Sequence, residues 1–431
     1  MWPVLQVALD LMHAKRALVI AKESVEGGAD WIEVGTPLLK SEGADCIRML
    51  RKEFPQHKIV ADTKTMDVGA FEVEIAVKAG ADIITVLGLA DDSTISEAAL
   101  TASKYGAEVM VDLINVPDRV RRAKEAESLG ASYVCMHMGI DQQMKGEAAP
   151  LQTLRDITQA ISIPVAAAGG VSSETAPEMV AAGASIVIVG GAIIKDKDVT
   201  GSARRVKDSM LSGSGIPTEL ARRYGEEGLF EAFSKVSTPN ISDAQHKAGV
   251  MRGLLPRIRH GQRMVGRALT VQTANGDWAK PVEAIDRATP GTVIVVDVGG
   301  AETAVWGELA TVSAQVNGVV GLVVDGAVRD MDDIYALEFP VFSRSVAPDA
   351  GEPKGHGGIG MEVIVGGQRV RSGDWIVGDE SGVIVVPKEH AVEVANRSLD
   401  VRERENRLRE EIKRGSSLSK VGELEKWEQV K

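Results

Sequence analysis

One short phrase recurs four times in the first half of the chain, as Gly28-Ala29-Asp30-Trp31-Ile32, Gly80-Ala81-Asp82-Ile83-Ile84, Gly130-Ala131-Ser132-Tyr133-Val134 and Gly183-Ala184-Ser185-Ile186-Val187. Each copy follows an amphipathic stretch and leads into a β-branched or aromatic run. That is the pattern of a helix, a left-handed glycine cap and a buried parallel strand. Eight short apolar runs fit it: Leu5 to Leu9, Trp31 to Val34, Ile59 to Asp62, Ile83 to Leu87, Val109 to Ile114, Tyr133 to Met136, Val165 to Ala168 and Ile186 to Val189. They begin roughly 20 to 30 residues apart, the period of a βα unit with short loops. The sequence therefore predicts an α/β protein whose N-terminal part is a (β/α)8 barrel. A doubly wound open sheet is the rival, because periodicity does not show closure.

The pattern stops after Met210, at Ser212-Gly213-Ser214-Gly215-Ile216-Pro217, a stretch of linker composition. The expected domains are 1–211 for the barrel, 212–237 for a linker with a connecting helix from Thr218 to Phe233, and 238–431 for a second domain. Ser237-Thr238-Pro239 breaks the chain, and Ser242 is the expected cap of the next helix. Strands are expected at Met264 to Thr273, Thr292 to Val298, Val319 to Asp325, Val341 to Val346, Gly360 to Val365, Trp375 to Val377 and Val383 to Val386. A last helix, Lys388 to about Arg414, alternates Arg and Glu and reads as a solvated or interdomain helix without chemistry.

Composition excludes several classes. Forty-nine Lys and Arg against 61 Asp and Glu give a charge of −12, which repels a phosphate backbone. Nucleic acid is not an expected partner. The only cysteines, Cys46 and Cys135, lack metal-ligand spacing, and no apolar run is long enough to span a bilayer. A cytoplasmic protein with no membrane partner is expected.

In (β/α)8 enzymes the site sits at the carboxyl ends of the strands. Asp10 ends the first run, Glu33 the second, Asp62 and Lys64 the third, Asp112 and Asn115 the fifth, and His137 the sixth. Gly169-Gly170 and Gly190-Gly191 end the seventh and eighth, where paired glycines let backbone N–H groups approach a phosphate. Within Asp62-Thr63-Lys64-Thr65-Met66-Asp67, alternation in an extended strand puts Asp62 and Lys64 on one face. Glu33 and Asp62 suit a hard divalent cation, Mg2+ with Mn2+ as its substitute. Such a cation would chelate both oxygens of an α-hydroxyketone while Lys64 moves a proton at the adjacent carbon. The expected substrate is a phosphorylated ketose.

Residues 4 to 210 resemble 3-hexulose-6-phosphate synthase, of the orotidine 5′-monophosphate decarboxylase superfamily. The resemblance rests on Leu5-Gln6-Val7-Ala8-Leu9-Asp10, Glu33-Val34-Gly35-Thr36-Pro37-Leu38-Leu39-Lys40, Ala61 through Asp67, Thr85-Val86-Leu87-Gly88 and Ala168-Gly169-Gly170. It implies a magnesium-dependent, reversible aldol reaction of ribulose 5-phosphate with formaldehyde. It also implies metal on Glu33 and Asp62, proton handling by Lys64 and His137, Asp67 reaching a neighbouring subunit's site, and a dimer. A sister enzyme, 3-keto-L-gulonate 6-phosphate decarboxylase, carries arginine three residues after the sixth-strand histidine. Here that position is Ile140, which offers no guanidinium donors.

In the second half, Trp306-Gly307-Glu308-Leu309 opens a helix and a buried strand is expected to end at Asp325, ahead of Arg329, Asp330 and Asp333. Arg329 would grip a carboxylate in bidentate fashion and Asp330 a cation, and Gly299-Gly300, before a helix holding Ala304 and Glu308, would receive an anion. Residues from about 238 to 414 resemble the RraA-like family, on Gly276-Asp277-Trp278, Ala284-Ile285-Asp286, Pro290-Gly291, Trp306 to Leu309, Asp325 to Asp330 and Gly373-Asp374 to Gly382-Val383. That family is an α/β sandwich assembling as trimers or hexamers, and it includes ribonuclease regulators and divalent-metal aldolases of 2-oxo acids. The resemblance implies Glu308 and Asp330 as metal ligands, with Glu308 where the aldolases carry aspartate, and Arg329 as the group that binds a 2-oxo acid. The rival is a regulatory, protein-binding module.

Overall fold

A computed structural model describes residues 3–146 and 150–427. Two compact units are present. One contains residues up to 143, 150–222 and 403–427; the other contains residues 144–146 and 223–402.

In the first unit eight strands are all parallel: β1 Val4–Leu9, β2 Trp31–Val34, β3 Lys58–Thr65, β4 Ile83–Leu87, β5 Glu108–Asp112, β6 Tyr133–His137, β7 Val165–Ala168 and β8 Ile186–Val189. β8 pairs with β1, Val4 opposite Ile186, so the sheet is a closed barrel and the open-sheet rival is excluded. The recurring phrase works as its chemistry predicts. Gly80 ends the helix Gly69–Ala79 at φ +107°, where a side chain would be strained. The phrase also has a role its pattern does not reveal. The carboxylates of Asp30 and Asp82 each accept the backbone N–H of a neighbouring strand, Leu5 and Ile59, at 2.7 Å. Each thereby satisfies an amide at the strand's entry into the ladder.

Alternation divides the strand residues into two layers. One set, with Leu5, Val7, Leu9, Ile32 and Val34, packs outward under the helices. The other, including Ala8, Val60, Ile83, Met110, Cys135 and Ile188, fills the barrel interior. Truncating a fully buried residue such as Leu9 to Ala costs about 2–5 kcal/mol, transfer and cavity terms together. At the amino-terminal end of the barrel the Lys58 amine lies 5.2 Å from the centre of the Trp31 ring and 5.8 Å from that of Tyr133. With Glu108 beside it, that group closes the bottom of the interior.

The charge-laced helix spans Ala391–Lys413. Its far end is not a solvated face. In the first unit, Arg16 bonds Glu411 at 2.9 Å and Glu423 at 2.6 Å, and Arg407 bonds Glu23 at 2.9 Å. Arg407 and Glu423 are buried, so these pairs carry a desolvation cost that the ion pairing must offset.

The second unit is built on β9 Val250–Met251, β10 Leu255–Arg257, β11 Met264–Gln272, β12 Thr292–Asp297, β13 Gly321–Val328, β14 Val341–Val346, β15 Gly358–Ile359, β16 Val363–Val365, β17 Gln368–Val370, β18 Trp375–Asp379 and β19 Gly382–Val386. Among the described residues these make a nine-stranded sheet, in the order β10-β14-β13-β12-β11-β18-β19-β9 with β15 on β11, and a separate β16–β17 hairpin. β11 to β14 are parallel; β18 and β19 run antiparallel. Residues of helices Ala279–Arg287, Glu308–Val316 and Met331–Ala336 share a core with Val271, Ile294 and Val324. Val363, Val365 and Val370 of the hairpin share another with Val293, Val295 and Val323. A mixed sheet covered by helices and a hairpin fits the expected α/β sandwich.

Several expectations are corrected. Residues 218–225 are not helical; the helix is only Leu229–Lys235. Ala221 adopts φ +58°, and the N–H groups of Ala221 and Tyr224 bond the side chains of Glu403 and Asn396 instead of carbonyls four residues back. Ser237, not Ser242, caps the helix Thr238–Ala244, because Ser237 and Asn240 form a reciprocal capping box. β13 runs past Asp325 to Val328, with a register shift between Val324 and Ala327. Ala304 lies outside the helix that begins at Glu308, bridging instead to Ala350. The expected strand Gly360 to Val365 is split, because Gly360 turns the chain at φ +91° between β15 and β16.

Candidate active site

The carboxyl ends of β1, β2, β3, β5 and β6 bring Asp10, Glu33, Asp62, Lys64, Asp112 and His137 to one mouth. Asp62 and Lys64 do meet, with the Lys64 ammonium 3.1 and 3.0 Å from the two Asp62 oxygens. Simple strand alternation is not the reason. Pairing with β4 is irregular between Ala61 and Thr65, and Lys64 has φ +46°, so a bulge aims the amine. The same amine lies 3.1 Å from Asp112 Oδ2, which is also 2.8 Å from His137 Nδ1. Asp62, Lys64, Asp112 and His137 form one continuous chain, and His137 has Nε2 left to face a substrate.

Charge is distributed unevenly along this chain. Burial alone would raise the Asp112 carboxyl, yet His137, Lys64 and the Ile114 N–H together hold it at about 2. Burial would likewise lower the Lys64 ammonium, but Asp62 and Asp112 outweigh it and raise its pKa. Lys64 is therefore a held cation. Glu33 is opposite in character: burial, then the charges of Asp62 and Asp10, push it well above the carboxylate range. Asp10 reaches solvent at the mouth but is ringed by protein, and that enclosure together with Asp62 raises it also.

Three residues escaped sequence reasoning. Gln6 is wholly buried and donates to Glu33 at 2.7 Å, and among the described residues its own Oε1 has no hydrogen-bond partner. Thr36 donates to Asp62 Oδ2 at 2.7 Å, and Thr85 donates to Asp62 Oδ1 at 2.8 Å. A polar residue at an inward strand position, as at Gln6 and Thr85, is the one signal that marked them. Gly35 is required sterically, since a Cβ there would lie 2.2 Å from Asp10 Oδ1.

Among the described residues no three His, Cys, Asp or Glu side chains are already grouped to hold an ion. The donor set nevertheless suits a hard cation. Asp10, Glu33 and Asp62 crowd negative charge that Lys64 offsets in part, with His137 and Lys195 acting on Asp10 as well, and the Gln6 oxygen, unpartnered among the described residues, lies beside them. Gly169 and Gly170 both have positive φ, and a Cβ on Gly169 would strike the Met138 carbonyl at 2.2 Å. Lys195 Nζ lies 3.4 Å from where a Cβ on Gly191 would sit, and Asp10 Oδ2 lies 3.3 Å from that of Gly190. Asp67 is not drawn into the group. It is exposed, and its carboxylate accepts the Val68 N–H.

In the second unit, Asp330 sits at φ +57° ahead of the helix Met331–Ala336. Its Oδ2 accepts the Glu308 N–H at 3.1 Å and lies 3.5 Å from Arg329 Nε. Gly307 permits this approach, because a Cβ there would be 2.4 Å from Asp330 Oδ2 and 3.1 Å from Arg329 Cγ. The structure thus brings Arg329, Asp330 and the start of the Glu308 helix together. Asp333 is exposed on the following turn, and Gly299 and Gly300 lie in a turn well before that helix.

Fold and rim define a (β/α)8 barrel with charged side chains gathered at its carboxyl mouth, joined to a smaller α/β domain. Over residues 3–206 the chain matches the family described as orotidine 5'-phosphate decarboxylase / HUMPS, and over residues 238–385 the RraA-like family, described as Aldolase/RraA. It is 40% identical over 211 residues to the 3-hexulose-6-phosphate synthase of Bacillus subtilis (strain 168), covering 48% of this chain and 99% of that protein. To the 3-hexulose-6-phosphate synthase of Mycobacterium gastri it is 42% identical over 203 residues, covering 47% and 97%. A crystal structure of 3-hexulose-6-phosphate synthase is 42% identical, with 48% of this chain and 99% of that one covered and a TM-score of 0.47. The first half of the chain belongs to the orotidine 5'-phosphate decarboxylase / HUMPS family, and the second half carries an RraA-like domain.

Proposed function

We propose that the barrel is a lyase that joins ribulose 5-phosphate and formaldehyde to give 3-hexulose 6-phosphate, and reverses that reaction. The observation that carries this reading is the Lys64 ammonium held 3.0–3.1 Å from both Asp62 and Asp112, with His137 on the same Asp112 oxygen. Glu33 and Asp62, with Asp10 beside them, would hold Mg2+ or Mn2+, which when bound supplies positive charge to two vicinal substrate oxygens. His137 Nε2, oriented by Asp112, takes the proton from C1 of the ketose. The C–H electron pair forms a C1–C2 double bond as the carbonyl pair moves onto oxygen. That pair then returns, C1 bonds the formaldehyde carbon, and the new alkoxide takes a proton from Lys64, which its raised pKa keeps protonated until then. The glycine pairs after β7 and β8 receive the phosphate.

The exposed Met66, Val68, Phe71 and Ile75 flank Asp67, which supports a second copy of the chain as the partner that Asp67 reaches. Among the described residues no helix is long and apolar enough to cross a membrane. Two buried free thiols, Cys46 and Cys135, fit the reducing cytoplasm in this reading.

For the RraA-like domain we propose metal-dependent cleavage or decarboxylation of a 2-oxo acid. Arg329 would orient the carboxylate, and Asp330 and Glu308 would hold the cation. The Arg329 and Asp330 side chains are both partly open to solvent, which supports a site as opposed to a buried structural pair. The test is direct. Whole protein is incubated with ribulose 5-phosphate and formaldehyde, and loss of formaldehyde is followed. No loss, with carbon dioxide released from a 3-keto-hexonate phosphate, would transfer the barrel to the decarboxylase reading despite Ile140. An RraA-like domain that turns over no 2-oxo acid would become a regulatory module.

A further inference from the structure

The ladder between β3 and β4 breaks at the residues that carry the rim chemistry. Val60 faces Ile83 and Ala61 faces Ile84, and pairing resumes only with Thr65 opposite Val86. Asp62, Thr63 and Lys64 are therefore set against Thr85 alone. A bulge of this kind deprives backbone groups of ladder partners. A non-glycine residue at φ +46° is strained, so Lys64 keeps its place only if its surroundings enforce it.

Thr85 supplies what the ladder lacks. It is buried, its Oγ1 accepts the Lys64 N–H at 3.2 Å and donates to Asp62 Oδ1 at 2.8 Å, and its carbonyl accepts the Thr63 hydroxyl at 2.6 Å. A hydroxyl has one proton and two lone pairs. The N–H of Lys64 can only donate, so the proton of Thr85 goes to the carboxylate and both bonds have a fixed direction. Thr36 grips the other Asp62 oxygen, but among the described contacts only Thr85 also reaches the backbone of Lys64. We propose that Thr85 is a positioning residue: its hydroxyl, acting through Asp62 and the Lys64 backbone, sets the Lys64 amine between Asp62 and Asp112 without touching substrate.

This inference rests on the synthase reading, and its test separates the two. In the full chain, Thr85→Val keeps the volume and removes the hydroxyl, whereas Thr85→Ser keeps the hydroxyl. Thr85→Val should lower kcat by about 100-fold, the effect of misplacing a reacting group by about 1 Å. KM for ribulose 5-phosphate should stay within about threefold, as expected when ground-state binding is untouched. Thr85→Ser should recover most of the rate. Apart from turnover, the Lys64 amide should exchange hydrogen faster in Thr85→Val and remain protected in Thr85→Ser. Wild-type kcat or unchanged amide protection in Thr85→Val overturns the proposal, as does a Thr85→Ser variant equally impaired. If Thr85→Val folds poorly, the Thr85→Ser and Thr85→Ala pair isolates the same hydroxyl. If the wild type consumes no formaldehyde, the synthase reading fails, and amide exchange still decides the role of Thr85.

Discussion

Asp112 Oδ2 accepts from His137 Nδ1 at 2.8 Å while the same oxygen holds the Lys64 ammonium at 3.1 Å, so one atom fixes both the imidazole and the amine. Asp112→Asn preserves the shape but places an amide where an anion is needed, and His137 loses its orienting acceptor. The expected loss in kcat is about 100-fold or more, the range for general acid–base groups. Steady-state assay with ribulose 5-phosphate and formaldehyde checks it. A variant within a few fold of wild type would remove Asp112 from the mechanism.

Glu33 offers a case where stability and activity should move oppositely. It is buried beside Asp62 and Asp10 and pushed well above its ordinary pKa, so Glu33→Gln relieves crowding while keeping volume. The melting temperature should rise, and activity at fixed Mg2+ should fall with a higher metal requirement. Exhaustive chelation should abolish wild-type activity, and added Mg2+ should restore it. Activity that persists without divalent metal would refute the assignment to Glu33 and Asp62.

In the RraA-like domain the discriminating position is Gly307. Gly307→Ala drives a methyl into Asp330 and Arg329, and Arg329→Lys exchanges a two-pronged donor for a point charge. Both should sharply reduce release of pyruvate from oxaloacetate or a 4-hydroxy-2-oxo acid in the presence of Mn2+. Pyruvate assay checks this. Equal turnover in both variants and wild type would show that the activity lies elsewhere.

Asp277 makes the second domain sensitive to acid. Burial would raise its carboxyl, but it accepts the N–H groups of His356, Ala279 and Lys354 at 2.8–3.1 Å, and backbone donors together hold its pKa down at about 2. A depressed carboxylate contributes stability that is whole above its unfolded pKa near 4 and is lost as pH falls through about 2. Asp277→Asn should flatten that acid slope and cost about 2 kcal/mol at neutral pH, because an amide cannot accept all three bonds. Denaturant melts across the acid range measure both. An unchanged slope would dismiss the carboxylate as its source.

Arg16 should be the most sensitive surface-helix position in the barrel unit. Arg16→Met leaves Glu411 and Glu423 with reduced compensation, a loss expected to cost about 3–5 kcal/mol. A chain ending at Ser212 should still be soluble, since a closed sheet exposes no strand edge. It should melt below the whole protein. Equal melting temperatures would show that residues 403–427 add nothing to the barrel.

Much of this architecture was legible because the signals were local. All eight barrel strands begin within a residue of their apolar runs, and their ends carry the polar residues that the structure gathers at one mouth. What was not legible has specific causes. Lys64 reaches Asp62 through a bulge, and a left-handed lysine has no sequence signature. Residues 218–225 have helical composition, but side chains near residue 400 satisfy their amides. β9, β10 and β17 are two or three residues long, too short for periodicity to register. The alternating charges after Lys388 read as a solvated or interdomain helix; the solvated alternative fails at its far end, where the partners Arg16 and Glu23 lie almost 400 positions away.

That separation has a consequence for how the protein is made. Arg16 and Glu423 stand 407 positions apart, so at roughly 5–20 residues per second the second leaves the ribosome some 20–80 s after the first. The barrel strands are all available long before then, and the sheet can close while its first helix still lacks its acidic partners. Joining ends so distant adds little entropy over a shorter loop, because the closure cost grows only logarithmically with length. Completion of the barrel unit therefore waits until the whole second unit has been synthesised. A chain terminated before Glu411 leaves Arg16 without these two carboxylates, which marks that product chemically.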